Sequence, residues 1–102
     1  APSYSHRHAW DLFAPTLNSK KTSLSRNELI EKLKAENIGA GLHWQAPHLF
    51  SYYQKTFGYK TGDFPNAEYI ADHVFSLPLF PHMTDEEQDS VIHILKNILK
   101  KV

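Results

Sequence analysis

The stretch "SLPLFPHMTDEEQDSVIHILKNILKKV", residues 76–102, decides the architecture. Its opening holds Pro78 and Pro81. Each proline fixes its own φ and pushes the residue before it toward extended backbone, so residues 76–83 must be extended. The rest is an amphipathic helix. Thr84 followed three residues later by Glu87 makes a capping box. Acidic residues crowd the first turn and lysines the last, as the helix dipole favours. Val91, Ile92, Leu95, Ile98, Leu99 and Val102 recur at helical spacing and predict a buried face.

Working upstream, "FPNAEYIADHVF" (64–75) predicts a second helix, with Pro65 near its first turn and an apolar stripe of Ala67, Ile70, Ala71 and Val74. "PHLFSYYQKTF" (47–57) reads as a short helix or a pair of turns carrying aromatics all round, and "AGLHW" before it as a short strand. "SRNELIEKLKAENIG" (25–39) is a well-punctuated helix. Ser25 and Glu28 form a second capping box, Leu29, Ile30 and Leu33 make the stripe, and Asn37 and Gly39 tolerate the left-handed backbone that ends a helix. "RHAWDLFAPTL" (7–17) reads as an irregular or edge strand, because Pro15 cannot donate to a ladder. The resulting order of strand, helix, strand, short helix, helix, extended segment, helix is an α+β pattern. It has too few strands to close a sheet core of its own.

The chain has 102 residues, which predicts one domain spanning 1–102 with one modest core. Eleven basic and eleven acidic residues cancel, leaving no electrostatic footprint for nucleic acid or an anionic membrane. The absence of cysteine excludes disulfides, thiolate catalysis and cysteine-based zinc sites. It is compatible with a cytoplasmic location. No apolar run reaches the roughly 18–20 residues of a membrane span. A start at Ala1 without methionine suits a processed protein or a piece of a longer one.

Seven histidines invite a metal reading. His43 and His48, five apart, do not share a helical face, and a third ligand is missing from their surroundings in sequence. His6 and His8 would alternate onto one face of a strand but stand at the chain end. His73 and His93 read as boundary positions on helices, and His82 as a loop residue. No nucleophile elbow and no glycine-rich phosphate cradle is present. The segment 44–64 carries more aromatics than so small a core needs, including the pairs Tyr52–Tyr53 and Phe57–Tyr59. Aromatic residues are enriched at interfaces, so part of this segment is expected to lie against something outside the chain.

The run "IGAGLHWQAPHLFSYYQKTFGYKTGDFPNAEYIADHVFSLPLFPHMTDEEQDSVIHIL" resembles the C-terminal end of the DegT/DnrJ/StrS family of pyridoxal-phosphate-dependent sugar aminotransferases. The likeness rests on the IG-G-H turn, a second histidine five residues on, YY, FGY, GDFP-AE, and SLPL-P-(L/M)T-EE before the final helix. It runs almost continuously from Ser25 to Lys100. The resemblance implies the small C-terminal domain of a fold type I aminotransferase, with a short antiparallel sheet packed with three to four helices. It implies a missing large N-terminal domain that holds pyridoxal phosphate and its lysine. No catalytic or cofactor-binding residue is then expected in this chain, no metal ligand either, and the chain alone would be inactive. The whole protein would be a homodimer that moves an amino group, often from glutamate, to a nucleotide-linked keto-sugar for polysaccharide, lipopolysaccharide or antibiotic biosynthesis. His43, Trp44, His48, Tyr52 and Tyr53 would be its substrate-binding contribution. A stand-alone interaction module and a small histidine-based metal-binding protein are the competing readings.

Overall fold

The computed structural model describes Tyr4 and residues 7–100. Among them are four α-helices: α1 (Arg26–Ala35), α2 (Ser51–Phe57), α3 (Pro65–His73) and α4 (Asp85–Lys100), with a 3₁₀ turn at Pro47–Leu49 ahead of α2. Both capping boxes form. Ser25 N–H donates to Glu28 Oε2 at 2.8 Å, and Glu28 N–H donates back to Ser25 Oγ at 3.2 Å. Thr84 and Glu87 repeat the exchange at 2.8 and 3.2 Å.

The end of α1 shows why Asn37 matters. Asn37 takes φ 61°, the left-handed region that asparagine tolerates better than most residues. This turn lets Asn37 N–H reach Lys34 O and Ile38 N–H reach Leu33 O, which satisfies carbonyls the helix would otherwise leave open. It also drops Ile38 into the core beside Leu33. Gly39, also read as part of the helix end, is not needed in the left-handed region here.

The core is small. Leu29 and Leu33 of α1 are fully buried, with Leu17, Ile38 and Phe75 around them. Val91, Ile94, Leu95, Ile98 and Leu99 of α4 pack against this cluster while remaining half-buried. The expected buried face of α4 is therefore corrected. No side chain of this helix is fully buried, Ile94 joins the face, Ile92 turns outward, and Val102 lies outside the described residues. Helix α1 supplies the core and α4 covers it. The stripe expected on α3 is corrected too: Val74 is buried, Ala71 is half-buried, and Ala67 and Ile70 face outward.

The expected antiparallel sheet is not formed. Among the described residues no strand extends beyond three isolated antiparallel bridges, Phe13 with Leu77, Thr16 with Val74, and Gly41 with Ser76. The physical reason begins at Pro15. Phe75 N–H donates to Pro15 O at 3.1 Å, but Pro15 has no N–H to return. Only two further bonds complete the pairing on that side: Leu17 N–H donates to His73 O, and Leu77 N–H donates to Phe13 O. Trp10 at φ 52° ends the extended run before it. On the other flank only Gly41 exchanges both bonds with Ser76, at 3.0 and 2.8 Å. "AGLHW" thus contributes a bridge rather than a strand.

Helix α3 is fastened to α1 by one side chain. Arg26 Nη1 donates to the carbonyls of Ala71 and Val74, both at 2.8 Å. These groups are in the last turn and cap of α3, where carbonyls lack helical partners and the dipole favours a cation.

Two outcomes follow for stability. Leu33→Ala should destabilise by roughly 2–5 kcal/mol and Leu95→Ala by less, since only the first empties a fully buried site; urea unfolding of both variants checks the order. The Glu28 carboxyl is held below its usual range, chiefly by the Ser25 backbone N–H, with the Ser25 side chain and then Lys32 adding to it. A depressed carboxylate stabilises the fold above its unfolded-state pKa, and that contribution is lost as pH falls through the folded-state value. Glu28→Gln should therefore be less stable than the wild type at neutral pH, and the gap should close in acid. A gap that stays constant in urea midpoints across that pH range would contradict the linkage.

Candidate functional site

The residues singled out in the segment 43–53 fall into two groups. His43 and Trp44 make the first. Their rings meet edge to face with centroids 5.0 Å apart, across a cis peptide bond. Trp44 is 71 % exposed, whereas His43 is half-buried and its Nδ1 is enclosed without a hydrogen-bond partner. Both line an open cavity of about 280 Å³ with Pro47 and with Ala67, Ile70 and Ala71 of α3. Here the outward stripe of α3 finds its place: Ile70, 52 % exposed, forms one wall.

Gly41 makes this arrangement possible. A methyl group at Gly41 would lie 2.5 Å from Ser76 Oγ and 2.6 Å from His43 Cε1. The glycine is required by close approach here, and not by a left-handed backbone. Gly41→Ala should cost roughly 1–3 kcal/mol by overpacking and displace the His43 ring; a urea midpoint equal to that of the wild type would contradict the contact.

The second group is a chain of rings. Tyr52 meets Tyr53 at 5.2 Å, Tyr53 meets Phe57 at 6.2 Å, Phe57 meets Tyr59 at 5.6 Å, Tyr59 meets Phe64 at 5.2 Å, and Phe64 meets His48 at 4.9 Å. It runs from Tyr52, 64 % exposed, to His48, 7 % exposed. Gly58, at φ 71°, ends α2 and turns the chain so that Tyr59 can stack back on Phe57. His48 does not cap α2; the residue ahead of that helix is Phe50, and no side chain bonds its open N–H groups. Instead His48 Nε2 points at Glu68 of α3, 3.3 Å from Oε2. That is close enough for electrostatic pairing, but not aligned as a hydrogen bond. The same carboxylate accepts the Gly62 N–H on both oxygens at 3.0 Å.

Glu68 is the residue the sequence reading missed. Its signal was available in the GDFP-AE motif, but a helical glutamate reads as solvated surface until the fold brings it to His48. None of the described cavities is lined by both groups, so the five candidates form two separate groups instead of one pocket.

Among the described residues no three histidine, aspartate or glutamate side chains converge to hold a metal ion. His8 instead accepts the Trp10 N–H on Nδ1 at 2.8 Å, and His6 lies outside the described residues. No described helix is long and apolar enough to cross a membrane.

A model of the DegT/DnrJ/EryC1/StrS aminotransferase family matches residues 1–96. The chain belongs to this family. Its members are pyridoxal-phosphate-dependent sugar aminotransferases. The chain is 45 % identical over 95 residues to the spore coat polysaccharide biosynthesis protein SpsC of Bacillus subtilis, covering 92 % of this chain and 24 % of SpsC. It is 42 % identical over 95 residues to an uncharacterized protein of Methanocaldococcus jannaschii, covering 93 % of this chain and 25 % of that one. Among solved structures it superposes on S. venezuelae DesV, crystallised in complex with a ketimine intermediate. The TM-score is 0.77 and the identity 30 %, over 91 % of this chain and 24 % of DesV. The chain thus spans about a quarter of the length of the relatives it matches, and its fold is that of the C-terminal part of fold type I aminotransferases.

The family's cofactor does not fit the described residues. Pyridoxal phosphate is held covalently through a lysine amine. Every described lysine of this chain is exposed, and none lines the cavities at either surface.

Proposed function

We propose that this chain is the small C-terminal domain, residues 1–102, of a cytoplasmic, homodimeric aminotransferase that moves an amino group, often from glutamate, to a nucleotide-linked keto-sugar. The cofactor, its lysine and the chemistry at the amino group belong to a larger domain outside this chain. The role of the chain is to bind and orient the sugar and to exclude water from it. On its own it turns nothing over.

The observation that carries this reading is the His43–Trp44 surface. An indole left 71 % exposed beside a half-buried imidazole, over an apolar helix face, is poorly suited to water. It is well suited to a sugar, whose apolar ring face packs on an indole while its hydroxyls bond to imidazole nitrogens. The exposed aromatics Tyr52, Tyr53 and Phe57 form a second open group, suited to being covered by another domain or subunit. The name of SpsC, with its place in polysaccharide biosynthesis, and the DesV match support a sugar as the amino acceptor. The competing metal-binding reading lacks a ligand cluster among the described residues.

Kinetics of the full-length protein test this. Trp44→Ala and His43→Ala should each raise KM for the nucleotide-linked keto-sugar, by roughly 3- to 10-fold for His43 if one neutral hydrogen bond is lost. Trp44→Ala should leave the unfolding midpoint nearly unchanged, because so exposed a ring contributes little to the core. Wild-type sugar kinetics in both variants would remove His43 and Trp44 from the site.

A further inference from the structure

Beside the bridge of Phe13 with Leu77, an apolar groove of about 250 Å³ opens against α4. Phe13, Leu79, Met83 and Ile92 line it, Gln88 is its one polar lining residue, and no charged side chain does so. The Trp10 ring adjoins it, with its centroid 6.3 Å from that of Phe13. Trp10, Phe13, Leu79 and Ile92 are each more than two-fifths exposed. A contiguous apolar patch of this kind marks an interaction surface. We infer that this patch is the seat on which the preceding large domain of the same polypeptide packs, with Trp10 as its anchor. This rests on the reading above in one respect only, that a larger domain precedes residue 1.

The relatives indicate the occupant. The chain spans about a quarter of their length and has the fold of the C-terminal part of fold type I aminotransferases, so what such a protein has besides lies mostly ahead of it. Trp10 and Phe13 are close in sequence to that junction. Nine residues span at most about 35 Å even when fully extended. A domain on so short a tether meets the patch at an effective concentration on the order of millimolar, so a modest apolar contact is enough to seat it. A second copy of the chain has no such tether. The uncharged lining suits an apolar protein face and gives an anionic or strongly polar ligand no compensation for lost water.

Trp10 is already held in place for this contact. Its N–H donates to His8 Nδ1 at 2.8 Å, and the imidazole packs on the indole with centroids 4.2 Å apart. Its φ of 52° is a left-handed backbone that costs a bulky residue free energy and persists only where the surroundings hold it. The rings it meets among the described residues, His8 and Phe13, are themselves exposed. The indole is thus oriented but not buried. A tryptophan presented in this way, beside a groove, is the type of side chain that dominates the energy of an interface once it is covered.

Thiol labelling of the full-length protein tests this, with no sugar kinetics involved. Leu79→Cys and Ile92→Cys are made one at a time, and alkylation at each position is followed by peptide mass in native and in urea-unfolded protein. Both positions should react more than about a hundredfold slower in the native protein, because a covered thiol reacts only when the contact opens. Adding Trp10→Ala should speed native alkylation at both by roughly 10- to 30-fold, the scale of an interface anchor. A photo-crosslinker attached at Leu79→Cys should join the preceding domain and leave the mass of a single polypeptide. Native alkylation close to the unfolded rate, protection unchanged by Trp10→Ala, or a crosslinked product of twice the polypeptide mass would each overturn the proposal. The sugar reading of His43 and Trp44 stands or falls separately, on KM.

Discussion

The backbone of residues 73–77 is the constraint on which the rest depends. Val74, Phe75 and Ser76 are buried, and buried N–H and C=O groups must find partners. Odd positions turn to one side, where His73 O, Phe75 N–H and Leu77 N–H meet the segment 13–17. Ser76 turns to the other side and exchanges both bonds with Gly41. Two stretches of chain about 60 and 35 residues away by sequence are thereby tied to one line. Phe75 enters the core beside Leu29 and Leu33, so the same segment joins the hydrogen-bond scheme to the apolar cluster. Its stabilisation comes from burial and satisfied polar groups together, and neither would hold a three-bridge arrangement alone.

Arg26 extends that line to the helices. Its guanidinium bonds two carbonyls where α3 gives way to the buried segment, and its backbone begins α1, whose leucines fill the core. A lysine would carry the charge, but its single ammonium lacks the planar fork that keeps a guanidinium nitrogen fixed between two acceptors. The direction of α3 is set by this bond at one end and by Glu68, with Gly62 and His48, near the other.

Helices were legible in the sequence wherever punctuation and periodicity agreed. Both capping boxes, the Asn37 stop and the Pro65 start are local features, and local features survive into the fold. The sheet was overstated because a segment that reads as extended does not reveal how many partners it meets. Pro15 and Trp10 each cut the pairing short for a backbone reason. The stripe on α3 is only partly covered, at Ala71 and Val74 and not at Ala67 and Ile70: hydrophobic spacing tells which residues share a face, not whether this chain covers it. His43 and Trp44 were legible as a pair. The separation of His48 and its link to Glu68 were not, since twenty residues of loop and helix decide it.

The two surfaces at the candidate site differ in how firmly they are built, and the difference follows from packing. His48 is enclosed, paired and stacked, so its position is determined by this chain. Trp44, Tyr52 and Phe57 have water where a core residue would have neighbours. A binding constellation holds its geometry only when packing locks the rotamers of its side chains. One end of this segment meets that condition within 102 residues, and the other does not. The apolar faces that remain open are contiguous with the closed ones through the Phe57–Tyr59–Phe64 rings. A second surface laid over these aromatics would therefore complete the packing begun at His48 and Glu68. The precision of the imidazole would be set from within the chain, and that of the indole by what covers it.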